Sequence, residues 1–258
     1  MKIGKKIITV VLSAMLIMVA VFSLAGCSKK LYTEGDFVYY IEKKATTLFG
    51  KSQIVVVGLS EEGKQKEIIE MPYMIIGGGT VISLKTKKLD QTKYWQSKNL
   101  KKIYLPCGSS STVNAKLFDG CPNLENIMLC GSSDTDLKIS NKNNPDLKVF
   151  ITGKNYDEEK YHGSNLYKTS GKGYANIYFA NVSFMHNSVD DYNDGYFLID
   201  DCEYGGTVRR PEREPDEAFR TFDGWYWDFE KDKLPNAKIA DGVVQYQETK
   251  IDARWKVF

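Results

Sequence analysis

Asn99-Leu100-Lys101-Lys102-Ile103-Tyr104-Leu105 is answered by Asn123-Leu124-Glu125-Asn126-Ile127-Met128-Leu129, and again by Asp146-Leu147-Lys148-Val149-Phe150-Ile151. The leading leucines stand 24 and 23 residues apart. Each copy reads Leu-x-x-Ile-x-Leu or a near relative, which is one short strand per copy. A single copy cannot bury its own apolar face, but copies stacked side by side bury one another, so about three or more are needed for stability. Weaker relatives occur at 67–71 and 81–84. Side chains alternate along a strand, so the periodic residues point inward and those between them outward. Aligned on their leucines, the copies place Tyr104, Met128 and Ile151 in one outward column, and Ser83 extends it if Ile82 and Leu84 match Ile103 and Leu105. An apolar strip with a tyrosine is a candidate ligand-binding face. The alternative is that later segments pack over the column and bury it.

Outward from these copies, Phe37-Val-Tyr-Tyr-Ile41 and Gln53-Ile-Val-Val-Val57 are β-branched and aromatic runs that predict strands. Gly77-Gly78-Gly79 lacks the Gly-Lys-Ser/Thr of a phosphate loop and reads as a turn before Val81. Residues 152–175 are rich in Gly, Ser, Lys and Asn and read as a linker or a cap. Ile251, Ala253, Trp255 and Val257 alternate with Asp252, Arg254 and Lys256, the pattern of a half-buried strand.

Period and pattern together are the leucine-rich-repeat signature. Phe118-Asp-Gly-Cys121-Pro-Asn-Leu124 resembles the Phe-x-x-Cys-x-x-Leu turn of BspA-like leucine-rich repeats of bacterial surface proteins, over residues 37–151. The 81–99 copy departs from that pattern, with Tyr94-Trp95 in place of the turn, and residues 130–146 are atypically rich in Ser, Asp and Asn. Further on, Val182-Ser-Phe184, Tyr204-Gly-Gly-Thr-Val208, Thr221-Phe-Asp-Gly-Trp-Tyr226, Trp227-Asp-Phe229 and Thr249 to Trp255 resemble, in that order, the Listeria–Bacteroides repeat, an internalin-B-type module with a β-grasp-like fold. The adjacency of Tyr226 and Trp227 departs from that family and implies a shortened hairpin. This resemblance implies a spacer or binding unit without catalysis over 176–258, with Trp225 and Trp255 in its core.

The chain opens with Lys2, Lys5 and Lys6, then runs without charge from Ile7 to Gly26, ending in Leu24-Ala25-Gly26-Cys27. A basic start, an apolar run and small residues are the parts of an export signal. The last four residues resemble the lipobox of bacterial lipoproteins, which implies a diacylglyceryl thioether on Cys27 and removal of residues 1–26. An uncleaved spanning helix is the alternative, since about 20 apolar residues cross a bilayer. Loss of three lysines and no acid takes the net charge from +2 to −1, so acyl chains rather than overall charge would hold the protein to a membrane. Residues 27–36 read as a tether. Among Cys107, Cys121, Cys130 and Cys202, buried thiols are expected, with a Cys107–Cys130 bridge as the alternative.

Composition narrows function. Hydrophobic residues make up 42% and charged ones 26%, which excludes wholesale disorder. The small net charge argues against a nucleic-acid partner, and two histidines with no Cys-x-x-Cys argue against a zinc site. The acids from Asp190 to Asp201 have the length of a calcium loop, but Tyr192 and Asp201 stand where ligand oxygens and a Glu are required, so a hairpin turn is preferred. His162 and His186 read as exposed loop residues. The aromatic group Phe222, Trp225, Tyr226 and Trp227 is assigned to a core rather than to a sugar platform. The mixed charges of 209–217 read as a solvated loop. The expectation is a mainly β chain, a short irregular leucine-rich-repeat solenoid followed by a small β-grasp-like domain. It serves as a lipid-anchored interaction protein on the extracytoplasmic cell surface, with no cofactor, no metal and no catalysis, and with a protein or envelope polymer as ligand. The alternatives are a non-binding envelope spacer, a hydrolase using Asp200 and Asp201, and a solute receptor.

Overall fold

The computed structural model describes residues 30–46, 51–72, 74–75, 79–84, 90–106, 117–130, 144, 146–152, 166–169, 173–187, 195–202, 206–217, 219–234 and 248–257. Cys27, Cys107, His162 and the acids of 190–194 lie outside them. The described residues are mainly β and include no α-helix. The strands are β1 (Tyr32–Glu34), β2 (Phe37–Lys43), β3 (Ser52–Leu59), β4 (Ile68–Glu70), β5 (Met74–Ile75), β6 (Gly79–Ser83), β7 (Lys102–Leu105), β8 (Asn126–Leu129), β9 (Lys148–Ile151), β10 (Leu166–Thr169), β11 (Gly173–Phe179), β12 (Val182–Met185), β13 (Tyr196–Asp200), β14 (Arg220–Trp227), β15 (Glu230–Lys231) and β16 (Thr249–Val257). They form three sheets, ordered β1-β2-β3-β6-β5, β10-β11-β9-β8-β7-β4 and β13-β12-β16-β14-β15.

In the six-stranded sheet β4, β7, β8, β9 and β11 are all parallel. Ile69, Ile103, Ile127, Val149 and Ile177 stand in one register column, and Leu105, Leu129 and Ile151 in the next. Both columns point inward and are fully buried or nearly so. Asparagines tie the turns together. The Asn99 amide donates to Lys64 O at 3.4 Å, Asn123 to Lys98 O at 2.6 Å and Asn144 to Leu124 O at 2.5 Å. Each rung reaches from one turn into the turn before it, satisfying carbonyls that the strand ladder leaves over. The Phe118–Cys121 turn lies under the same core, with Phe118 edge-on to Trp95 at 5.3 Å and the Cys121 thiol 3.7 Å from Trp95 O. Gly120 permits this closeness, since a Cβ there would lie 2.4 Å from Trp95 O.

The core continues into the first sheet through Phe37, Ile54, Val56 and Leu59. That sheet takes two segments assigned differently from sequence. β1 lies in the expected tether and pairs with β2. β6 holds the 81–84 copy but runs parallel to β3, so β4 is the direct neighbour of β7 and Ser83 extends no column. The expected boundary at 176 also shifts. β11 straddles it and adds to the ladder beside β9, and β10 folds back antiparallel on β11 to end the sheet. The C-terminal sheet begins at β12.

Candidate binding face

The outward face of the ladder begins with the column Glu70, Tyr104, Met128, Phe150 and Tyr178. Tyr104 and Met128 stand together as expected. Ile151 does not join them; it pairs with Leu129, points inward and is fully buried. The third copy is one residue shorter between its leucine and its strand. Leu100 precedes Ile103 by three positions and Leu124 precedes Ile127 by three, but Leu147 precedes Val149 by two. A slip of one residue turns every side chain to the other face, so Phe150 takes the outward place.

The column is not open to solvent. Tyr104, Met128 and Phe150 are 2%, 1% and 5% exposed and share a cluster with Val182, Phe184, Leu198, Val208, Trp225, Ile251 and Ala253 of the C-terminal region. The expectation of an exposed strip is therefore corrected in favour of its alternative: the C-terminal sheet covers it. Phe150 stacks on Tyr178 at 5.5 Å, and Phe184 meets Trp225 edge-on at 4.9 Å.

A polar seam borders this apolar contact. The buried Glu70 carboxylate pairs with Arg209 and accepts the Glu212 amide at 3.0 Å to both oxygens. Arg213 donates to Met71 O at 3.1 Å. Asp200, buried at the end of β13, accepts the Lys102 ammonium at 3.0 Å and the Tyr104 hydroxyl at 2.9 Å. The Arg209 guanidinium lies over the Tyr104 ring and donates to its oxygen at 3.3 Å. Burial, with the Asp200 carboxylate beside it, raises the Tyr104 hydroxyl above the ordinary phenol range, so it keeps its proton and donates. Desolvation lowers the Arg213 guanidinium, partly opposed by Glu70. For Arg209, desolvation is outweighed by Tyr104 and Glu70, and the net direction is up. The 209–217 segment is thus tied to the edge of β4 through Arg209, the Glu212 amide and Arg213, while Arg210, Glu212, Glu214 and Asp216 keep exposed side chains, so the expected solvated loop is only its outer side. Its partner Glu70 lies 139 positions away in sequence from Arg209, which no local pattern signals.

The remaining candidates are dispersed. Asp200 is engaged in the seam, and Asp201 follows the strand end with its amide on Asp200 at 2.9 Å. His186 is half-buried, not an exposed loop residue, and meets Trp255 at 5.2 Å. Trp225 is fully buried, but Trp255 is only half-buried. Cys130 is disulfide-bonded, which corrects the expected thiol there; its partner lies outside the described residues, and Cys121 and Cys202 remain thiols. Burial pushes the Cys121 thiol up to about 11, opposed by a backbone hydrogen bond at Ser97. Sequence reading did not single out Phe219 and took Phe229 only as part of the Trp227-Asp-Phe229 motif; they are 90% and 88% exposed. They flank β14 at positive φ, 63° and 64°, a region in which a bulky side chain is strained.

Among the described residues no cluster of His, Cys, Asp and Glu is placed to hold a metal, and no helix is long and apolar enough to cross a membrane. Fold and face together define a mainly β protein whose ladder and C-terminal sheet share one interface. Comparison with protein families, curated proteins and solved structures finds no match.

Proposed function

We propose that this is a lipid-anchored interaction protein of the extracytoplasmic cell surface, without catalysis or cofactor. Its parts are a short irregular leucine-rich-repeat solenoid of BspA-like character and a β-grasp-like module akin to the Listeria–Bacteroides repeat. The observation that carries the anchor is Leu24-Ala25-Gly26-Cys27 at the end of an uncharged run. The parallel columns spaced by one repeat support the solenoid. Because the ladder column is covered, ligand contact moves to the C-terminal sheet, where Phe219 and Phe229 stand exposed. The buried engagement of Asp200 weighs against a carboxylate hydrolase, and the shared core gives a pure spacer little reach.

Labelled fatty acid fed to the native bacterium should appear on the wild-type chain and vanish with Cys27→Ala; equal label on both rejects the anchor. For the contact, capture from envelope and host extracts should drop with Phe219→Ser plus Phe229→Ser while the melting curve stays put. Undiminished capture moves the ligand surface off these residues.

A further inference from the structure

We propose that Arg254, held against the rings of Tyr226 and Phe229 on the outer face of the C-terminal sheet, is a binding site for the carboxylate of a uronate residue in an acidic polysaccharide. The proposal rests on the reading of that sheet as the contact surface and names the chemistry of its ligand.

The site begins with a turn. Trp227 pairs with Glu230, so Asp228 and Phe229 form a two-residue hairpin turn between β14 and β15. Both have positive φ, 49° and 64°. Turns of this kind favour Asp-Gly or Asn-Gly, because glycine enters the left-handed region without steric cost. Here a phenylalanine stands in the glycine's place and is 88% exposed. The fold gains neither backbone ease nor buried area from it. Local strain held at the surface in this way points to a role in contact rather than in folding.

The ring meets an arginine. In β16 Ile251 and Ala253 point inward and are buried, so Lys250, Asp252, Arg254 and Lys256 face out. The Arg254 guanidinium carbon lies 4.1 Å from the Tyr226 ring centroid and 5.8 Å from that of Phe229, both within cation–π range. Among the described residues Arg254 makes no hydrogen bond and no ion pair, not even with Asp252 on the same face of its strand. The nearby Asp223 is engaged elsewhere. It accepts Lys231 at 2.9 Å, Lys256 at 2.5 Å and the Tyr226 hydroxyl at 2.6 Å, and the last bond also fixes the Tyr226 ring. Aromatic rings take the face of a guanidinium and leave its in-plane N–H groups open. Those groups match the two oxygens of a carboxylate.

Charge and shape narrow the ligand. Lys231, Arg254 and Lys256 stand against Asp223 and Asp252, which leaves one net positive charge. That balance suits a single carboxylate better than a doubly charged phosphate. The exposed Phe229 ring beside it offers a flat apolar surface to the C–H groups of a sugar ring. An acidic peptide fits less well. A peptide gains affinity by adding a strand to a sheet edge, and β15, the strand at this edge, is two residues long.

The full chain is titrated with oligogalacturonate, with its methyl ester and with polyglutamate. Oligogalacturonate should bind. The ester keeps the sugar ring without the charge, and polyglutamate keeps the charge without the ring, so each should bind about tenfold or more weakly. Arg254→Gln should weaken oligogalacturonate binding by about tenfold or more, and Arg254→Lys, which keeps the charge but not the planar fork, by nearly as much. Phe229→Gly should lose about fivefold in affinity, yet melt at or above the wild-type temperature because glycine relieves the turn. Lys250→Gln removes a charge from the same face and should leave binding intact. Binding of the ester or of polyglutamate as tight as that of oligogalacturonate overturns the uronate assignment. An equal loss from Lys250→Gln and Arg254→Gln overturns the site in favour of diffuse charge. Asp241, outside the described residues, is the one acid of 235–247; tighter binding by Asp241→Asn would give Arg254 a partner within the chain and overturn the site as well. Failure of oligogalacturonate to bind overturns the proposal, and the contact surface then stands if Phe219→Ser with Phe229→Ser still lowers capture from extracts and falls with it if capture is undiminished.

Discussion

Trp225 and Trp255 occupy similar places in the sequence pattern but different physical surroundings. Trp225 is enclosed by Phe184, Phe197 and Phe222 at 4.9, 5.4 and 5.2 Å. Trp255 lies near the end of the central strand β16, beyond its pairing with β12, and is half-buried, its indole N–H donating to His186 O at 3.0 Å. Trp225→Ala should therefore cost about 3–5 kcal/mol and Trp255→Ala about 1–2 kcal/mol, read from urea midpoints at constant slope. Equal losses would place both rings in equivalent sites. Cys121 supplies a pH dependence. Its thiol titrates higher in the folded chain, at about 11, than its ordinary value of 9.0. The neutral thiol therefore favours folding fully below pH 9, and that contribution declines as pH rises through 9 to 11. The stability difference between wild type and Cys121→Ala should shrink across that window by about 2–3 kcal/mol. A difference constant from pH 7 to 11 rejects the buried-thiol account.

The ladder depends on turns as much as on strands. Its strands are four residues long at β7, β8 and β9, too short to hold register by hydrogen bonds alone, and the asparagine rungs add a tie at each turn. Asn144 is half-buried and bonds Leu124 O; Asn123 is exposed and bonds Lys98 O. Removing a partner from a buried carbonyl costs more than removing one that water can replace. Asn144→Ala should thus destabilise by about 1–2 kcal/mol and Asn123→Ala by about 0.5–1 kcal/mol, compared by chemical denaturation. The reverse order would mean that the rungs do not act through carbonyl burial.

The ladder and the C-terminal sheet should fold as one unit, because their facing side chains complete a common core. A fragment of residues 180–258 leaves Phe184, Leu198 and Val208 without the Tyr104, Met128 and Phe150 that cover them. Its expected behaviour is binding of a hydrophobic dye and a broad, non-cooperative melt, with a cooperative transition only in the full chain. A sharp melt of the fragment alone would show that the interface is dispensable. The seam of Glu70, Arg209, Asp200 and Lys102 gives the contact its register. Charges removed from water contribute little net stability, but a wrongly docked sheet would leave them unpaired.

Local order in the sequence determined the strands at β7, β8 and β9, their spacing by one repeat and the inward residues Ile103, Ile127, Leu105 and Leu129, because a strand's two-residue alternation and a repeat's period are both written in consecutive residues; β10 and β11, read as linker and second domain, joined the same sheet only in the fold. It also carries the Leu24-Ala25-Gly26-Cys27 motif, which is read without any fold. Tertiary structure alone decided the rest. The one-residue shortening ahead of Val149 is resolved only by pairing with β8, which puts Phe150 outward and Ile151 inward. The burial of Tyr104 and Met128 depends on β12 to β16, whose alternation shows that they need a cover but not which face supplies it. Arg209 and Arg213 look like surface charges until Glu70 lies beside them. Burial is a relation between segments far apart along the chain, and no stretch of sequence contains both of its sides.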